Sequence, residues 1–391
     1  MAPRINRIGP SGSRVLLRSP IFSNGKVFRL ICQSFFEYKR QAKFKYIKPN
    51  LTTKSVRLLL VGFGVVGQSL VKLLLSRSTD LYKLYGVNPR VVACIDSRGS
   101  AVSTAGLDLE RLLEAKRLLG TVGGYDKSEP IYELASLIEK ADAEIVVELT
   151  PTNIDSGEPG TSNIVASLKS GKHVITVNKG PLALAFPSLL ELANYNDVKL
   201  RFSGTVGGGT PILEFAKRSL KGDNIVSFRG ILNGTTNYIL SKMEQGLEFN
   251  DAFHDAKLNG YAEASSLLDI DGFDAAAKLV IMANWIMGMK VTIKDVYRRG
   301  IGDINLTDVK RANKVGKAIK LIGKCENRRL RVEPTELPIS DPICVNGTLN
   351  AVTFYSQHSG EQTIIGQGAG GVPTASAVLR DLIDIRTALL L

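Results

Sequence analysis

The chain of 391 residues is 44% hydrophobic and 22% charged, long enough for two domains with cores of their own, and it has no apolar run of the length a membrane span needs. Its net charge of +13 is concentrated at one end: residues 1–54 hold twelve Lys and Arg against a single acid, Glu37, which gives +11 there and leaves +2 for residues 55–391. A nearly neutral body lacks the basic face that phosphate neutralisation requires, which excludes nucleic-acid binding by the folded part.

The basic start carries Pro3, Pro10, Pro20 and Pro49 among Arg, Ser and aromatic residues. Three readings stay open for it, an organellar targeting segment, a disordered arm or a coding start placed too early, and no fold is assigned to it. Location follows from that choice: cytoplasmic, or organellar if the segment is a genuine transit peptide. The cysteines Cys32, Cys94, Cys325 and Cys344 form no C-x-x-C pair and no metal-ligand spacing with His173, His254 and His358, as in a reduced intracellular protein.

In chain order, residues 56–61 read as a strand, GFGVVG at 62–67 as a glycine-rich turn opening a helix over 65–76, and 91–95 as a second strand ending at Asp96. Strand patterns recur at 143–149 and 173–177 with a helical pattern at 163–170 between them, which predicts a parallel, doubly wound sheet. After residue 185 the pattern changes to a short strand at 200–203, a glycine-rich turn, a helix over 212–220 and strands at 225–232 and 351–355, with 236–325 read as mostly helical. GQGAGG at 366–371 opens a last helix over 374–385. The fold class is therefore α/β: a Rossmann-type dinucleotide-binding domain (55–185), an α+β substrate-binding and dimerisation domain (186–355), and a segment (356–391) expected to return to the first domain.

Within GFGVVG, Gly62 permits the tight turn, Gly64 the close approach of a pyrophosphate and Gly67 close helix packing, while Val65 and Val66 open the helix whose N-terminus faces the anion. A purely structural turn is the competing account. Asp96 stands where an acid takes the ribose hydroxyls, yet Arg98 stands where a cation holds a 2′-phosphate. The cofactor is thus NADP or NAD; Asp96 lies farther from the glycines than is usual, which tips the expectation to NADP. Lys116 and Arg117 add positive charge, or simply line a solvated helix face.

Further on, Asp274 and Lys278 share one face of a helix with Ala neighbours that leave room for a ligand. A surface ion pair is the alternative. Glu263 and Asp269 just upstream supply carboxylates suited to a substrate ammonium.

These residues fall within a longer likeness. ILNGTTNYIL (231–240) and GYAEASSLLDIDGFDAAAKL (260–279), together with GFGVVG, ELTPTN (148–153), TVNKGP (176–181), TVGGGTPI (205–212) and GQGAGG, resemble homoserine dehydrogenase over essentially residues 56–391. The resemblance implies reversible, NAD(P)-dependent interconversion of L-homoserine and L-aspartate 4-semialdehyde in threonine and methionine synthesis, by a homodimer. It implies substrate binding by Glu263 and Asp274 and proton transfer by Lys278. Lys179 is a second lysine beside nicotinamide and substrate, Thr150 and Pro151 lie near the nicotinamide, Gly260 near both ligands, and Gly370 against the cofactor.

Two departures from the family pattern stand out. The family often binds a sodium ion through backbone carbonyls, here those of Val206, Gly208 and Thr210, plus one acid, and Ser203 occupies the acid's place. The Asp-Pro common in the substrate loop is here Ser265-Ser266. Two rivals remain: a related amino-acid dehydrogenase of the same architecture, and a non-catalytic dinucleotide-sensing protein.

Overall fold

The computed structural model describes residues 55–125, 134–262 and 267–388. The basic arm and Glu263 therefore lie outside the described residues.

The first half alternates strand and helix: β1 (Ser55–Val61), α1 (Val65–Ser76), α2 (Ser78–Tyr85), β2 (Asn88–Asp96), β3 (Gly99–Val102), α3 (Leu109–Leu119), α4 (Leu134–Lys140), β4 (Ile145–Glu148), α5 (Gly160–Lys169), β5 (His173–Thr176), α6 (Lys179–Tyr195) and β6 (Leu200–Arg201). The strands line up as β3-β2-β1-β4-β5-β6, all parallel except the β2–β3 hairpin. The cause is visible in the strands. LLLV in β1 and IVVE in β4 are buried on both faces, as helices on both sides of a parallel sheet require. Strand order reverses between β1 and β4, so the crevice at their carboxyl ends is where such a sheet binds ligands.

The second half holds β7 (Ile225–Ile231), α7 (Gly234–Glu244), α8 (Phe249–Leu258), α9 (Phe273–Met287), β8 (Val296–Arg298), α10 (Leu306–Lys314), β9 (Lys317–Glu326), β10 (Arg329–Pro338), β11 (Leu349–Ser356), β12 (Gly360–Gln367) and α11 (Gly371–Ala388). Its sheet runs β12-β11-β7-β9-β10-β8, antiparallel except for β8 on β10. The α/β class with its two kinds of sheet is as expected. The stretch 236–325 is mostly helical as read, with β8 and most of β9 within it, and β3, β8, β9, β10 and β12 were not foreseen as strands.

Two contacts bring the halves together. Trp285 of α9 sits edge-on to Phe202 at 5.2 Å and tilted to Phe186 of α6 at 6.3 Å, and Ala183 packs with Ala277 and Ile154. The other contact is α11, whose Val378, Leu382 and Ile385 complete the core over Leu70, Val71 and Leu74 of α1. Asp381 on the same helix is fully buried and accepts a hydrogen bond from the Ser203 backbone N–H at 2.9 Å, while the Ser203 hydroxyl also contacts both Asp381 and Glu214.

Burial pushes the Asp381 carboxyl up to about 7; the neighbouring Glu214 adds to this, and the hydrogen bonds from Ser203 and the charge of Arg201 oppose it. A carboxyl raised in the folded state contributes stability that is fully present below its unfolded value and is lost as pH rises through about 7. Comparing Asp381→Asn with the parent by urea unfolding at pH about 5 and about 8 isolates this term. The parent is expected to lose more stability between the two pH values than the variant, and equal changes would remove Asp381 as the cause.

Candidate active site

The turn after β1 is built for close approach. Gly62 adopts φ 99°, and a Cβ on it would lie 2.7 Å from the carbonyl carbon and oxygen of Leu149, where the chain leaves β4. A Cβ on Gly67 would lie 2.8 Å from the Gly62 carbonyl oxygen. Gly64 is the N-cap of α1, and neither a capping side chain nor an acid occupies the first turn. Val65, the first residue of that turn, is 73% exposed and Val66 is half-buried. Uncapped N–H groups at an open helix N-terminus make an anion seat of the kind a pyrophosphate takes. Gly370 (φ 124°) opens α11, and Gly371 after it packs on this turn, its Cβ position 2.6 Å from Val65 Cγ1. Thr150 and Pro151 follow β4 at the same edge.

Asp96 is at the end of β2, but its carboxylate is taken up by Arg98 of the following hairpin and by the end of α3 and the residues after it. Oδ1 accepts from the Arg98 N–H at 3.0 Å and the Thr121 hydroxyl at 2.9 Å; Oδ2 accepts from Lys116 Nζ at 2.6 Å and the Val122 N–H at 3.0 Å. Those four donors match the acceptor capacity of a carboxylate. Burial would raise this carboxyl, and Lys116 with the other three donors holds it below its ordinary value instead. The Arg98 side chain is exposed and donates to the Gly120 carbonyl.

The reacting end is organised by Asp274, in the first turn of α9. Lys278, one turn on, reaches Asp274 Oδ2 at 2.7 Å and donates to the Leu232 carbonyl at 2.7 Å; it is 6% exposed. Lys179, the first residue of α6 after β5, reaches Asp274 Oδ1 at 3.2 Å from the other half. Asn233 caps α7 with its Oδ1, which accepts from the Thr236 N–H at 2.8 Å. Its amide Nδ2 donates to Asp274 Oδ2 at 2.9 Å and to Asp269 Oδ1 at 2.6 Å. Burial works against the Asp274 charge, but Lys278 and Lys179 hold its carboxyl well below the usual carboxylate range. Asp269 goes the other way: burial and the adjacent Asp274 charge raise it. One firmly ionised carboxylate, two lysines and a second carboxyl thus converge. Such a set can hold an ammonium and exchange a proton with an oxygen.

Gly260 (φ 71°) follows α8, and the Thr235 hydroxyl tethers the adjacent Tyr261 carbonyl at 2.7 Å just before the undescribed 263–266. Val206 and Thr210 are buried, and a Cβ on Gly208 would lie 3.1 Å from Gly368 and Ala369, so the carbonyl-bearing turn packs on the GQGAGG loop. Among the described residues no group of three or more His, Cys, Asp or Glu side chains is arranged to hold a metal ion. Sequence reasoning singled out neither Asn178, which caps α6 directly ahead of Lys179, nor Asn233, which caps α7 and reaches Asp274. An Asn immediately before a helix was the available signal for both.

A dinucleotide turn at a switch point, together with two lysines on one largely buried carboxylate, defines the class: a nicotinamide-dependent oxidoreductase. Two family models cover most of the chain, homoserine dehydrogenase NAD-binding domain over residues 62–203 and homoserine dehydrogenase over 211–383. The homoserine dehydrogenase of Methanocaldococcus jannaschii is 45% identical over 329 residues, covering 84% of this chain and 98% of its own. The NAD(+)-dependent homoserine dehydrogenase of Pseudomonas canavaninivorans is 38% identical over 339 residues, covering 84% and 96%. A hyperthermophilic archaeal homoserine dehydrogenase solved in complex with NADPH superposes with a TM-score of 0.75 at 28% identity, covering 86% of this chain and 98% of that one. The chain belongs to the homoserine dehydrogenase family. No helix among the described residues is long and apolar enough to cross a membrane.

The two functions of Asn233 are separable. Asn233→Ala is expected to cost about 1 kcal/mol of stability through the lost cap and to raise the KM for substrate. Asn233→Ser keeps a capping oxygen but no amide, so it should recover the stability and not the KM; recovery of both would show that the amide contact to Asp269 and Asp274 is inert.

Proposed function

We propose that this protein interconverts L-homoserine and L-aspartate 4-semialdehyde, with NADP as the preferred cofactor, and works as a homodimer. The observation that carries the reading is the convergence of Lys179, Asp274 and Lys278 from two different halves at the carboxyl edge of the first sheet. The dinucleotide fits the open, uncapped turn of Gly62, Gly64, Val65, Val66 and Gly67, with Thr150, Pro151 and Gly370 around it, and when bound it supplies the hydride. Residues 55–185 serve the cofactor, 186–355 the substrate and the dimer contact, and 356–391 the closure of the first half.

Asp269, with Glu263 and Asp274, receives the substrate ammonium, and Gly260 leaves backbone room beside it. As the aldehyde carbon receives hydride, its C=O π bond breaks and the oxygen takes a proton from Lys278 Nζ, forming the O–H bond of the alcohol. Lys278 suits this because Asp274 and the Leu232 carbonyl fix two of its three N–H donors and so direct the third. Lys179 adds a second positive charge against the oxygen at the nicotinamide side. A sodium ion on the carbonyls of Val206, Gly208 and Thr210 belongs to the same reading, with Ser203 rather than an acid beside them. The dimer contact falls on the face of the second sheet that carries Arg229, Lys324, Arg331 and Tyr355, opposite the face that packs on α7 and α9.

NADP is preferred because Asp96, the acid at the ribose end, is occupied by Lys116, Thr121 and two backbone N–H groups, which lifts its repulsion of a 2′-phosphate and leaves Arg98 exposed nearby. The relatives include an enzyme described as NAD(+)-dependent and one solved with NADPH, so the family accommodates both.

Homoserine oxidation by the full chain, followed through reduced-cofactor absorbance, tests the reaction. Lys278→Ala should lower kcat by about 10²- to 10⁴-fold, and Lys179→Ala by about 10²- to 10³-fold. Cofactor binding without turnover in the parent would favour the dinucleotide sensor, and turnover of another amino alcohol alone would favour a related dehydrogenase. For the cofactor, Arg98→Ala is expected to raise the KM for NADP about tenfold, the loss of one charge-assisted bond, and Lys116→Ala to raise it by leaving the Asp96 charge unpaired beside the 2′-phosphate. Equal rises for NADP and NAD would sink the 2′-phosphate assignment.

A further inference from the structure

We propose that Glu148, at the last position of β4, is a positioning residue for this reaction, locking the turn of Thr150 and Pro151 to the start of the helix that carries Lys179. The proposal rests on the assignment of Lys179 to the reacting site.

Glu148 is fully buried. Its Oε1 accepts from the Thr150 N–H at 3.0 Å and from the Thr150 hydroxyl, and its Oε2 accepts from Asn163 Nδ2, on α5, at 2.9 Å. The groups that hold it are neutral donors and not a countercharge; burial pushes its carboxyl up while they pull it down. A buried carboxylate without a cation is costly, on the order of several kcal/mol before its hydrogen bonds are made. Stability alone does not account for an acid here, since an apolar side chain would avoid that cost. A requirement for an acceptor-only group does: donors converge on it from two sides, and a glutamine would turn an N–H₂ toward one of them.

The hold passes onward. The Thr150 hydroxyl that donates to Glu148 accepts from Asn178 Nδ2 at 3.2 Å, and the same Nδ2 donates to the Pro151 carbonyl at 3.2 Å. Asn178 Oδ1 accepts from the Gly180 N–H at 3.1 Å, capping α6. The Lys179 N–H donates to Thr152 Oγ1 at 3.4 Å. Little slack is left in the joint. A Cβ on Gly180 would lie 2.1 Å from the Asn153 carbonyl oxygen, and one on Gly160 would lie 2.5 Å from Asn178 Nδ2. Glu148, Thr150 and Asn178 are thus a buried chain of bonds that gives the nicotinamide-facing turn and the Lys179 backbone a common frame. Displacement of a reacting group by an ångström costs about 10²-fold in rate, so such a frame has kinetic consequences.

Two measurements test this. In native-state hydrogen exchange, Glu148→Gln should lower the protection of the Thr150 and Gly180 amides together, by about tenfold, with the amides of β9 unchanged. Loss at Thr150 alone would overturn the coupling. In steady-state kinetics Glu148→Gln should lower kcat by about 10²-fold with a smaller change in KM, and adding Lys179→Ala should worsen it little beyond Lys179→Ala alone. Multiplicative losses, or a kcat within about twofold of the parent, would overturn the proposal. If Glu148→Gln does not fold, Thr150→Val, which removes the linking hydroxyl at constant shape, should lower the exchange protection of the Gly180 amide alike, while Thr150→Ser, which keeps a hydroxyl, should retain that protection; equal loss in both would overturn the coupling. The exchange experiment decides the coupling even if the parent chain does not oxidise homoserine, a result that would count against the reaction instead.

Discussion

Everything at the reacting end depends on the Asp274 carboxylate. It sits 14% exposed between two ammonium groups, one from its own helix and one from the start of α6 in the other half, and a neutral amide completes its contacts. Removing one partner from a buried pair typically costs about 3–5 kcal/mol because the other charge is stranded. The triad therefore ties the docking of the two halves to the assembly of the site: when the edge of the first sheet and α9 separate, Lys179 leaves and the charge balance fails. Small residues make this docking possible, since Ala183 and Ala277 let α6 and α9 pack closely beneath it.

The same economy recurs at two helix starts. Asn178 and Asn233 each cap a helix with the amide oxygen and send the amide nitrogen into the site, so the geometry of the backbone and of the reacting groups is set by one side chain. Acids are treated in opposite ways across the molecule. Asp96 and Asp274 are held ionised by lysines, whereas Asp269, Asp381 and Glu148 are pushed up by burial.

Much of the first half was legible because its physics is local. The apolar runs of β1, β4 and β5 and the glycines after β1 each announce their role within a few residues. The β9–β10 hairpin was not, because its turn is made by Asn327 and Arg328, both at positive φ (49° and 57°), and Arg gives no turn signal where Gly would. β12 was hidden by its flanking glycines, which read as loop. The site was legible as far as the helix face of Asp274 and Lys278. What stayed hidden was the fate of individual acids: that Lys116 and Thr121 fold back onto Asp96, or that Glu148 in ELTPTN is buried and not solvated, depends on partners distant along the chain or on a neighbouring layer.

The position of α11 bears on the order of events during synthesis. The parallel sheet is made of residues 55–201, yet part of the layer over α1 is supplied by residues 375–385. A growing chain can pair β1, β4 and β5 long before that layer exists, leaving Leu70, Val71 and Leu74 without their native cover while the entire second half is translated. The nucleotide pocket is thus a late product of folding although its motif is among the first to leave the ribosome, and a nascent chain is most exposed to chaperones and proteases over that interval.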